Sequence, residues 1–177
     1  MSSFDFEGRI TDIVDYPKPV VVFKDITTLL KDPDGFEATI DAIAEPFKDS
    51  CVTKVVGAEA RGFMIGAPVA YRLHAGFVPA RKPGKLPREV RSESYDLEYG
   101  SDELQIHADA IEPDDVVLIV DDLVATGGTA EAQAKLIKQF GASLAGMGFL
   151  MELAFLNPRQ AIAKVTDAEV FSLVQVH

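Results

Sequence analysis

The residues best suited to chemistry lie in one run of the chain. Two adjacent carboxylates, Asp121 and Asp122, follow an apolar stretch that is typical of a buried strand. A short turn comes next and leads directly into a helical pattern; its residues are Ala125, Thr126, Gly127, Gly128 and Thr129. The backbone N–H groups of such a turn, the helix dipole and two threonine hydroxyls can converge on a phosphate. The glycines permit the close approach and the unusual φ that this requires.

Paired acids beside an anion site indicate a ligand that also offers hydroxyl groups. A ribose 5-phosphate fits, because its phosphate would lie on the glycine turn while Asp121 and Asp122 accept hydrogen bonds from the ring hydroxyls. Carboxylates there would also stabilise a ribosyl centre that becomes positive as its leaving group departs. The plainer alternative is a hydrophilic strand end followed by a flexible turn.

Other nucleotide-binding motifs do not fit. Gly57–Gly62 has the glycine spacing of a Walker loop, but Phe63 and Met64 follow where lysine and serine or threonine are required. Gly146 and Gly148 lack the third glycine of a dinucleotide-binding fingerprint.

Composition narrows the functional classes. The 177 residues are 47% hydrophobic, which excludes a disordered chain, and 17 basic against 28 acidic residues give a net charge of −11. That balance disfavours a nucleic-acid binder. The single cysteine, Cys51, excludes a disulfide framework and a cysteine-rich zinc site. We expect a cytoplasmic protein with no membrane partner, since the acidic start does not resemble a signal peptide and no apolar run is long enough to span a membrane.

The elements that must position these residues alternate between strand and helix. Strands are predicted over 52–57, 77–80, 116–120, 144–151 and 170–176, and helices over 62–73, over 129–140 and from 157. Such alternation predicts an α/β fold with a mostly parallel central sheet flanked by helices, whose ligands lie beyond the carboxyl ends of the strands. Before residue 52, a first amphipathic helix is predicted from Phe6, Ile10, Ile13 and Val14, and a second begins at Asp32-Pro33.

One segment, residues 81–94, has no apolar period and carries five cations. It is either a solvated loop or a lid that covers an anion. The residues after it alternate on both sides of Gly100, over Tyr95–Tyr99 and Glu103–His107, and predict a hairpin.

Val117–Thr129 resembles the phosphoribosyl pyrophosphate signature of type I phosphoribosyltransferases. Five further segments resemble the adenine-specific branch of that family, in the same order: Pro19–Ile26, Gly57–Phe63, Arg81–Pro87, Tyr95–Gly100 and Phe171–Gln175. The resemblance implies the type I phosphoribosyltransferase fold in a single domain, residues 1–177. Residues 1–30 would form a small base-binding hood, and residues 81–107 a flexible lid and hairpin.

The resemblance also implies a reaction, in which adenine and phosphoribosyl pyrophosphate give AMP and pyrophosphate. The glycine turn would hold the 5-phosphate, and Asp121 and Asp122 the ribose. The implied pyrophosphate-binding residues are Glu59, Ala60, Arg61, Gly62, Arg81, Lys82 and Lys85. Mg²⁺ would be held by substrate oxygens and waters, with no direct protein ligand beyond a water-mediated link to the aspartates. An arginine at position 81 reaches the neighbouring subunit in this family, which implies a homodimer.

Glu98 is the implied catalytic residue, exchanging a proton with the purine ring; the alternative is an exposed strand carboxylate. Val22, Phe23 and Lys24 are the implied adenine-binding residues, through main-chain contacts. Two positions depart from the family pattern, because Lys24 replaces an arginine and Val20 replaces a glycine. A related transferase for xanthine or hypoxanthine is the nearest alternative. A regulator that keeps the signature without catalysis is the next, although this chain lacks a basic face for DNA.

Overall fold

The core of the molecule is a five-stranded sheet in which every pair of neighbours is parallel, in the order β4-β3-β7-β8-β9. The structure, a computed structural model, describes residues 4–96 and 100–177. The sheet strands are β3 (Lys54–Ala58), β4 (Gly76–Ala80), β7 (Val116–Val124), β8 (Ser143–Leu153) and β9 (Glu169–Val176). The α/β class and the parallel central sheet predicted from the sequence are confirmed.

Helices cover both faces of this sheet, as the strand–helix alternation predicts. They are α1 (Thr27–Leu30), α2 (Pro33–Ala44), α3 (Arg61–Arg72), α4 (Gly128–Gln139) and α5 (Pro158–Ile162), and short 3₁₀ turns lie at Glu7–Arg9, Glu45–Phe47 and Ala154–Leu156. Helix α2 begins with Pro33 in its first turn after an extended Asp32, as predicted. Gly141, with φ +75°, follows the end of α4.

The central strand β7 divides its side chains between two hydrophobic clusters. Val117 and Ile119 pack in one cluster with α4, whereas Leu118 and Val120 pack in the other with α2 and α3. All four side chains are fully buried. This two-faced burial explains why residues 116–120 are continuously apolar. It also fixes the strand that carries the acidic pair.

The predicted first helix is wrong. After the 3₁₀ turn, residues Thr11–Val14 form strand β1, which pairs antiparallel with β2 (Val22–Asp25). The apolar spacing fits a helix, but three of the four residues in β1 are β-branched and favour extended backbone. Pro17 and Pro19 lie in the connection to β2 and leave it as a hairpin.

The hairpin predicted around Gly100 is confirmed, with different bounds. Strands β5 (Val90–Asp96) and β6 (Ser101–His107) pair antiparallel, from Val90 opposite His107 to Asp96 opposite Ser101. The strand therefore starts five residues earlier than predicted and takes in the end of the cationic segment 81–94. Leu104 and Ile106 are buried and anchor β6 on the sheet.

No helix in the described ranges, 4–96 and 100–177, is long and apolar enough to cross a membrane.

Candidate active site

A cleft of about 270 Å³ lies at the carboxyl ends of β3 and β7. It brings together most of the residues predicted to bind a phosphorylated ribose: Glu59, Ala60, Arg61, Lys82, Asp121, Asp122, Ala125, Thr126, Gly127, Gly128 and Thr129. These residues come from three separate parts of the chain, 59–61, 82 and 121–129. Their convergence at the strand ends is the arrangement expected of an α/β ligand site.

The phosphate turn, residues 125–129, connects β7 to α4. Gly127 has φ +95° and caps the helix, which then starts at Gly128. A left-handed residue at this point lets the chain reverse direction so that the first N–H groups of α4 face the cleft. Because these groups have no partner within the helix and lie at its positive end, the turn is suited to an anionic oxygen.

The acidic pair lies within β7 rather than beyond it, since the strand continues to Val124. Asp122 is 4% exposed, and burial raises the pKa of both carboxyls. The neighbouring Asp122 charge raises the pKa of Asp121 further, whereas Arg61 partly offsets the rise at Asp122.

One oxygen of the pair has no hydrogen-bond donor among the described residues. Arg61 Nε lies 3.0 Å from Asp122 Oδ2, within ion-pair distance but without hydrogen-bond geometry. Oδ2 is buried and makes no hydrogen bond with any described residue. A buried carboxylate oxygen in this state is ready to accept a hydrogen bond from a ligand hydroxyl.

Gly62 does not line the cleft, but its lack of a side chain places the acidic pair. A Cβ at Gly62 would lie 2.8 Å from Asp121 Oδ1, closer than real contacts allow. The backbone at the start of α3 therefore packs directly against the Asp121 carboxylate. The peptide bond between Glu59 and Ala60, just before this point, is cis.

The predicted pyrophosphate cations are already paired with carboxylates. Lys82 Nζ lies 2.9 Å from Asp102 Oδ2, and Arg81 Nη2 lies 3.4 Å from Glu59 Oε2. The backbone N–H of Lys82 also donates to Glu59 Oε1 at 2.5 Å. This bond is the main reason why the pKa of Glu59 is lowered. Lys85 is exposed, in the turn that follows Lys82, and neither it nor Arg81 lines the cleft.

The predicted adenine-binding segment lies at the margin of the cleft. The guanidinium of Arg61 lies over the Phe23 ring at 5.5 Å, which connects the β1–β2 hairpin to the acidic pair. Val22 is exposed, and Lys24 points to Asp12, with 2.6 Å between Nζ and Oδ1. The Lys24 side chain is therefore directed away from the cleft, and Ile26, 2% exposed, belongs to the core.

Glu98, the predicted catalytic residue, lies outside the described residues. Its described neighbours, Asp96 and Gly100, belong to the hairpin whose Tyr95 lines the cleft.

The structure adds residues that the sequence did not single out. Tyr95 lines the cleft above the phosphate turn, 3.6 Å from the Cβ position of Gly128, and its hydroxyl donates to Asp102 at 3.2 Å. Gln133, fully buried, lines the cleft one turn into α4, with both amide atoms lacking a hydrogen-bond partner among the described residues. The helical spacing of Gln133 from Thr129 was the one available signal, because residues four apart share a helix face.

Comparisons with known proteins agree with this geometry. Residues 25–174 match the family model of the phosphoribosyl transferase domain. An adenine phosphoribosyltransferase of Desulfitobacterium hafniense is 55% identical over 175 residues, 99% of each chain.

Two solved structures have the same fold over nearly their whole length. The adenine phosphoribosyltransferase of Rhodothermus marinus superposes with a TM-score of 0.90 at 45% identity, covering 97% of this chain and 96% of that one. The adenine phosphoribosyltransferase of Saccharomyces cerevisiae, solved with adenine and an iminoaltritol bisphosphate, has a TM-score of 0.88 at 38% identity, covering 96% of each chain.

Proposed function

The chain belongs to the phosphoribosyltransferase family, and from that premise we infer how its cleft carries out the family's chemistry. The activity is that of an adenine phosphoribosyltransferase, a purine salvage enzyme. It transfers the phosphoribosyl group of phosphoribosyl pyrophosphate to N9 of adenine and releases AMP and pyrophosphate. The observation that carries the site assignment is the phosphate turn next to a buried carboxylate oxygen that has no donor within residues 4–96 and 100–177.

The phosphate turn holds the 5-phosphate of the substrate through the N–H groups at the start of α4, aided by Thr126 and Thr129. Asp121 and Asp122 accept hydrogen bonds from the two ribose hydroxyls. Because burial raises the pKa of both carboxyls, a ligand that donates hydrogen bonds to them stabilises their ionised form. The ionised pair then stabilises the positive charge that develops on the ribose as pyrophosphate leaves.

Pyrophosphate lies against Arg61 and Lys82, with Glu59, Ala60 and Gly62 shaping the loop around it. Binding transfers each cation from an internal carboxylate to the substrate, since Arg61 and Lys82 are now paired with Asp122 and Asp102. Arg81 and Lys85 extend this positive surface along the lid, residues 81–107. Closure of the lid excludes water and protects the ribosyl cation from hydrolysis.

Adenine lies beside the hood, residues 1–30, next to Phe23. Main-chain groups of Val22 and Lys24 recognise the exocyclic amine, because a carbonyl that accepts from an amine would face the oxygen of hypoxanthine or guanine without a partner. Support comes from the side chain of Lys24, which is held by Asp12 and leaves the backbone as the contacting part. The replacement of arginine by lysine at this position is then compatible with adenine.

Glu98 is the general acid–base group. It exchanges a proton with the purine ring, which makes N9 a better nucleophile as it attacks the anomeric carbon. The described part of its hairpin lies against the cleft through Tyr95, which supports this placement.

Mg²⁺ accompanies the substrate, because pyrophosphate concentrates negative charge on oxygens that suit a hard cation. Pyrophosphate and ribose oxygens with waters would hold the metal, and Asp121 or Asp122 would hold one of those waters. The metal would supply charge neutralisation of the leaving group. Asp121 and Asp122, which line the cleft, fit such a cation.

The active form is a cytoplasmic homodimer made of one domain per subunit. Arg81 of one subunit supplements the site of the other, and support comes from its side chain, which is 33% exposed beside Glu59 of the cleft. Cys51, exposed and unpaired with another cysteine, suits a reducing compartment.

The experiment that tests this function measures nucleotide formation by the purified protein from phosphoribosyl pyrophosphate and each of adenine, hypoxanthine, xanthine and guanine, with Mg²⁺ and with excess chelator. We expect AMP from adenine in the presence of Mg²⁺, and turnover near background without it. Faster turnover of hypoxanthine or xanthine than of adenine would assign the chain to a different base.

A further inference from the structure

The phosphate turn rests directly on helix α5. A Cβ added to Gly127 would lie 3.0 Å from the carbonyl oxygen of Pro158 and 3.1 Å from Cβ of Ala161. These contacts leave no free space between the turn and the helix. The position of α5 therefore sets the position of the turn at Gly127, the residue that reverses the chain toward the cleft.

Helix α5 needs outside support to hold this position. It has five residues, Pro158–Ile162, and Asn157 precedes it in a left-handed conformation without a side-chain capping bond. A helix of this length is not stable through its own hydrogen bonds. Pro158 and Ile162 are buried, and they hold the helix on the core but do not fix it in a defined direction along the sheet.

An ion pair between the buried Glu152 carboxylate and the half-exposed Arg159 guanidinium supplies the directional contact. Arg159 Nε donates to Glu152 Oε1 at 2.9 Å, and Nη2 donates to Oε2 at 2.8 Å, so that the two planar groups meet at two points. The remaining nitrogen, Nη1, donates to the carbonyl oxygen of Val170 at 2.8 Å. One guanidinium thus joins α5 to β8 and β9.

Glu152 lies level with the start of the phosphate turn. In the parallel register of β7 and β8 it is opposite Val124, the residue immediately before the turn. Glu152 is 3% exposed, which makes its charge costly without Arg159. The pair therefore joins the helix behind the turn to β8, the strand that pairs with β7 at the residue leading into the turn.

We propose that Glu152 and Arg159 are positioning residues for the phosphate turn. The pair holds α5 in the place where Pro158 and Ala161 support Gly127, and so it aims the N–H groups of the turn at the 5-phosphate. It does not touch the ligand. This inference rests on the proposed function, in which the turn binds the 5-phosphate of substrate and product.

The test compares Glu152→Gln, Arg159→Met and Arg159→Lys with the wild-type protein. A matched control is Asp115→Asn. Asp115 is also a buried carboxylate in an ion pair, with Lys54, but it lies at the opposite end of the strands, just before β7 begins. For each variant the dissociation constant of AMP, the KM of both substrates and the melting temperature are measured. Arg159→Lys keeps the charge but loses the two-point contact.

We expect the first two variants to raise the AMP dissociation constant and the KM of phosphoribosyl pyrophosphate about tenfold, as for other small displacements of a binding group. The KM of adenine stays within about twofold, because adenine does not contact the turn. Arg159→Lys gives an intermediate loss. Asp115→Asn lowers the melting temperature by a similar amount but leaves AMP binding unchanged.

A double variant, Glu152→Met with Arg159→Met, separates positioning from stability and carries the test even where a single variant does not fold. Removal of the buried Glu152 charge together with its partner restores the melting temperature relative to Arg159→Met, yet AMP binding stays weak because the bonds between the two planar groups and to Val170 are gone. Full recovery of AMP affinity in this double variant, or equal loss in Asp115→Asn, overturns the proposal. Absence of AMP binding by the wild-type protein overturns the proposed function as well.

Discussion

Two aspartate doublets bracket the central strand β7, and they have opposite environments. Asp114 and Asp115 precede the strand, and Asp121 and Asp122 lie near its end. Asp115 accepts hydrogen bonds from the Thr53 hydroxyl at 2.7 Å and from the Glu112 N–H at 2.8 Å, with Lys54 Nζ at 3.3 Å. Burial opposes ionisation there, but these donors together lower the pKa of Asp115.

At the second doublet, burial outweighs the groups that favour ionisation. Burial raises the pKa of Asp121 and Asp122, and one oxygen of Asp122 has no hydrogen-bond donor among the described residues. The fold satisfies one buried carboxylate from within, and in the proposed function the other pair is satisfied by the ribose of the substrate. Changes at the first doublet are therefore expected to alter stability, and changes at the second to alter activity.

The largest effect is expected from Asp121→Asn combined with Asp122→Asn. Loss of two charge-assisted hydrogen bonds to the ribose lowers kcat/KM for phosphoribosyl pyrophosphate by about 10²- to 10³-fold. The fold stays intact, because neither charge contributes favourably to the ligand-free protein. Steady-state kinetics and a thermal melt check both parts, and normal capture of the substrate by this variant would refute the hydroxyl assignment.

The Glu98→Gln variant separates a role in the chemical step from a role in substrate binding. A carboxylate that transfers a proton contributes to kcat, so we expect kcat to fall by about 10²-fold with little change in substrate affinity. The matched control is Glu103→Gln on the same hairpin, since Glu103 bonds to Gln105 and does not line the cleft. An unchanged kcat in Glu98→Gln would remove that residue from the mechanism.

Asp115→Asn tests the start of β7, where the buried carboxylate has hydrogen-bond donors within the protein. The amide cannot keep all of its donors, so the free energy of unfolding is expected to fall by about 1–3 kcal/mol. Denaturant titration measures the loss. The kcat and KM measured well below the melting temperature should match the wild-type values, and a parallel fall in kcat/KM would mean that the two ends of β7 are coupled.

The smallest effect is a difference in pH dependence. The pKa of Asp115 is lowered, so its contribution to stability is present above the ordinary value of about 3.8 and is lost as the pH falls through its folded-state pKa. The pKa of Asp121 and Asp122 is raised, so their contribution is favourable at low pH and is lost as the pH rises through the folded-state pKa.

Ligand-free Asp121→Asn/Asp122→Asn protein should therefore be more stable than wild type at neutral pH, with the difference vanishing as the pH falls toward 3.8. The slope is at most about 1.4 kcal/mol per pH unit for each group. Unfolding midpoints measured from pH 4 to pH 8 test this. A difference that grows as the pH falls would reverse the assigned sign.

The strand, turn and helix around Asp121 and Asp122 are predicted correctly because their signals are local. Strand, carboxylates, glycine turn and helix follow one another within fourteen residues, and each restricts the next. The first helix was wrong because Ile10, Ile13 and Val14 satisfy helical spacing while their branched side chains favour the hairpin that forms. The start of β5 at Val90 was missed because its exposed face is polar and charged, which hides the alternation.

Contacts between segments that are far apart in the sequence could not be predicted from it. Asp114-Asp115 and Asp121-Asp122 are equivalent as sequence, and the difference depends on Thr53 and Lys54, which are about sixty residues away. Tyr95 reaches the phosphate turn only because the hairpin folds over α4. The support of Gly127 by α5 depends in the same way on β8 and α5. The sequence predicts both elements but not how they are oriented relative to each other.

The most direct test of the account is a crystal structure of the protein with AMP. We predict that the 5-phosphate accepts hydrogen bonds from the N–H groups of residues 126–129, that both ribose hydroxyls donate to Asp121 and Asp122, and that adenine lies beside Phe23. A nucleotide bound elsewhere, with no phosphate on this turn, would contradict the account.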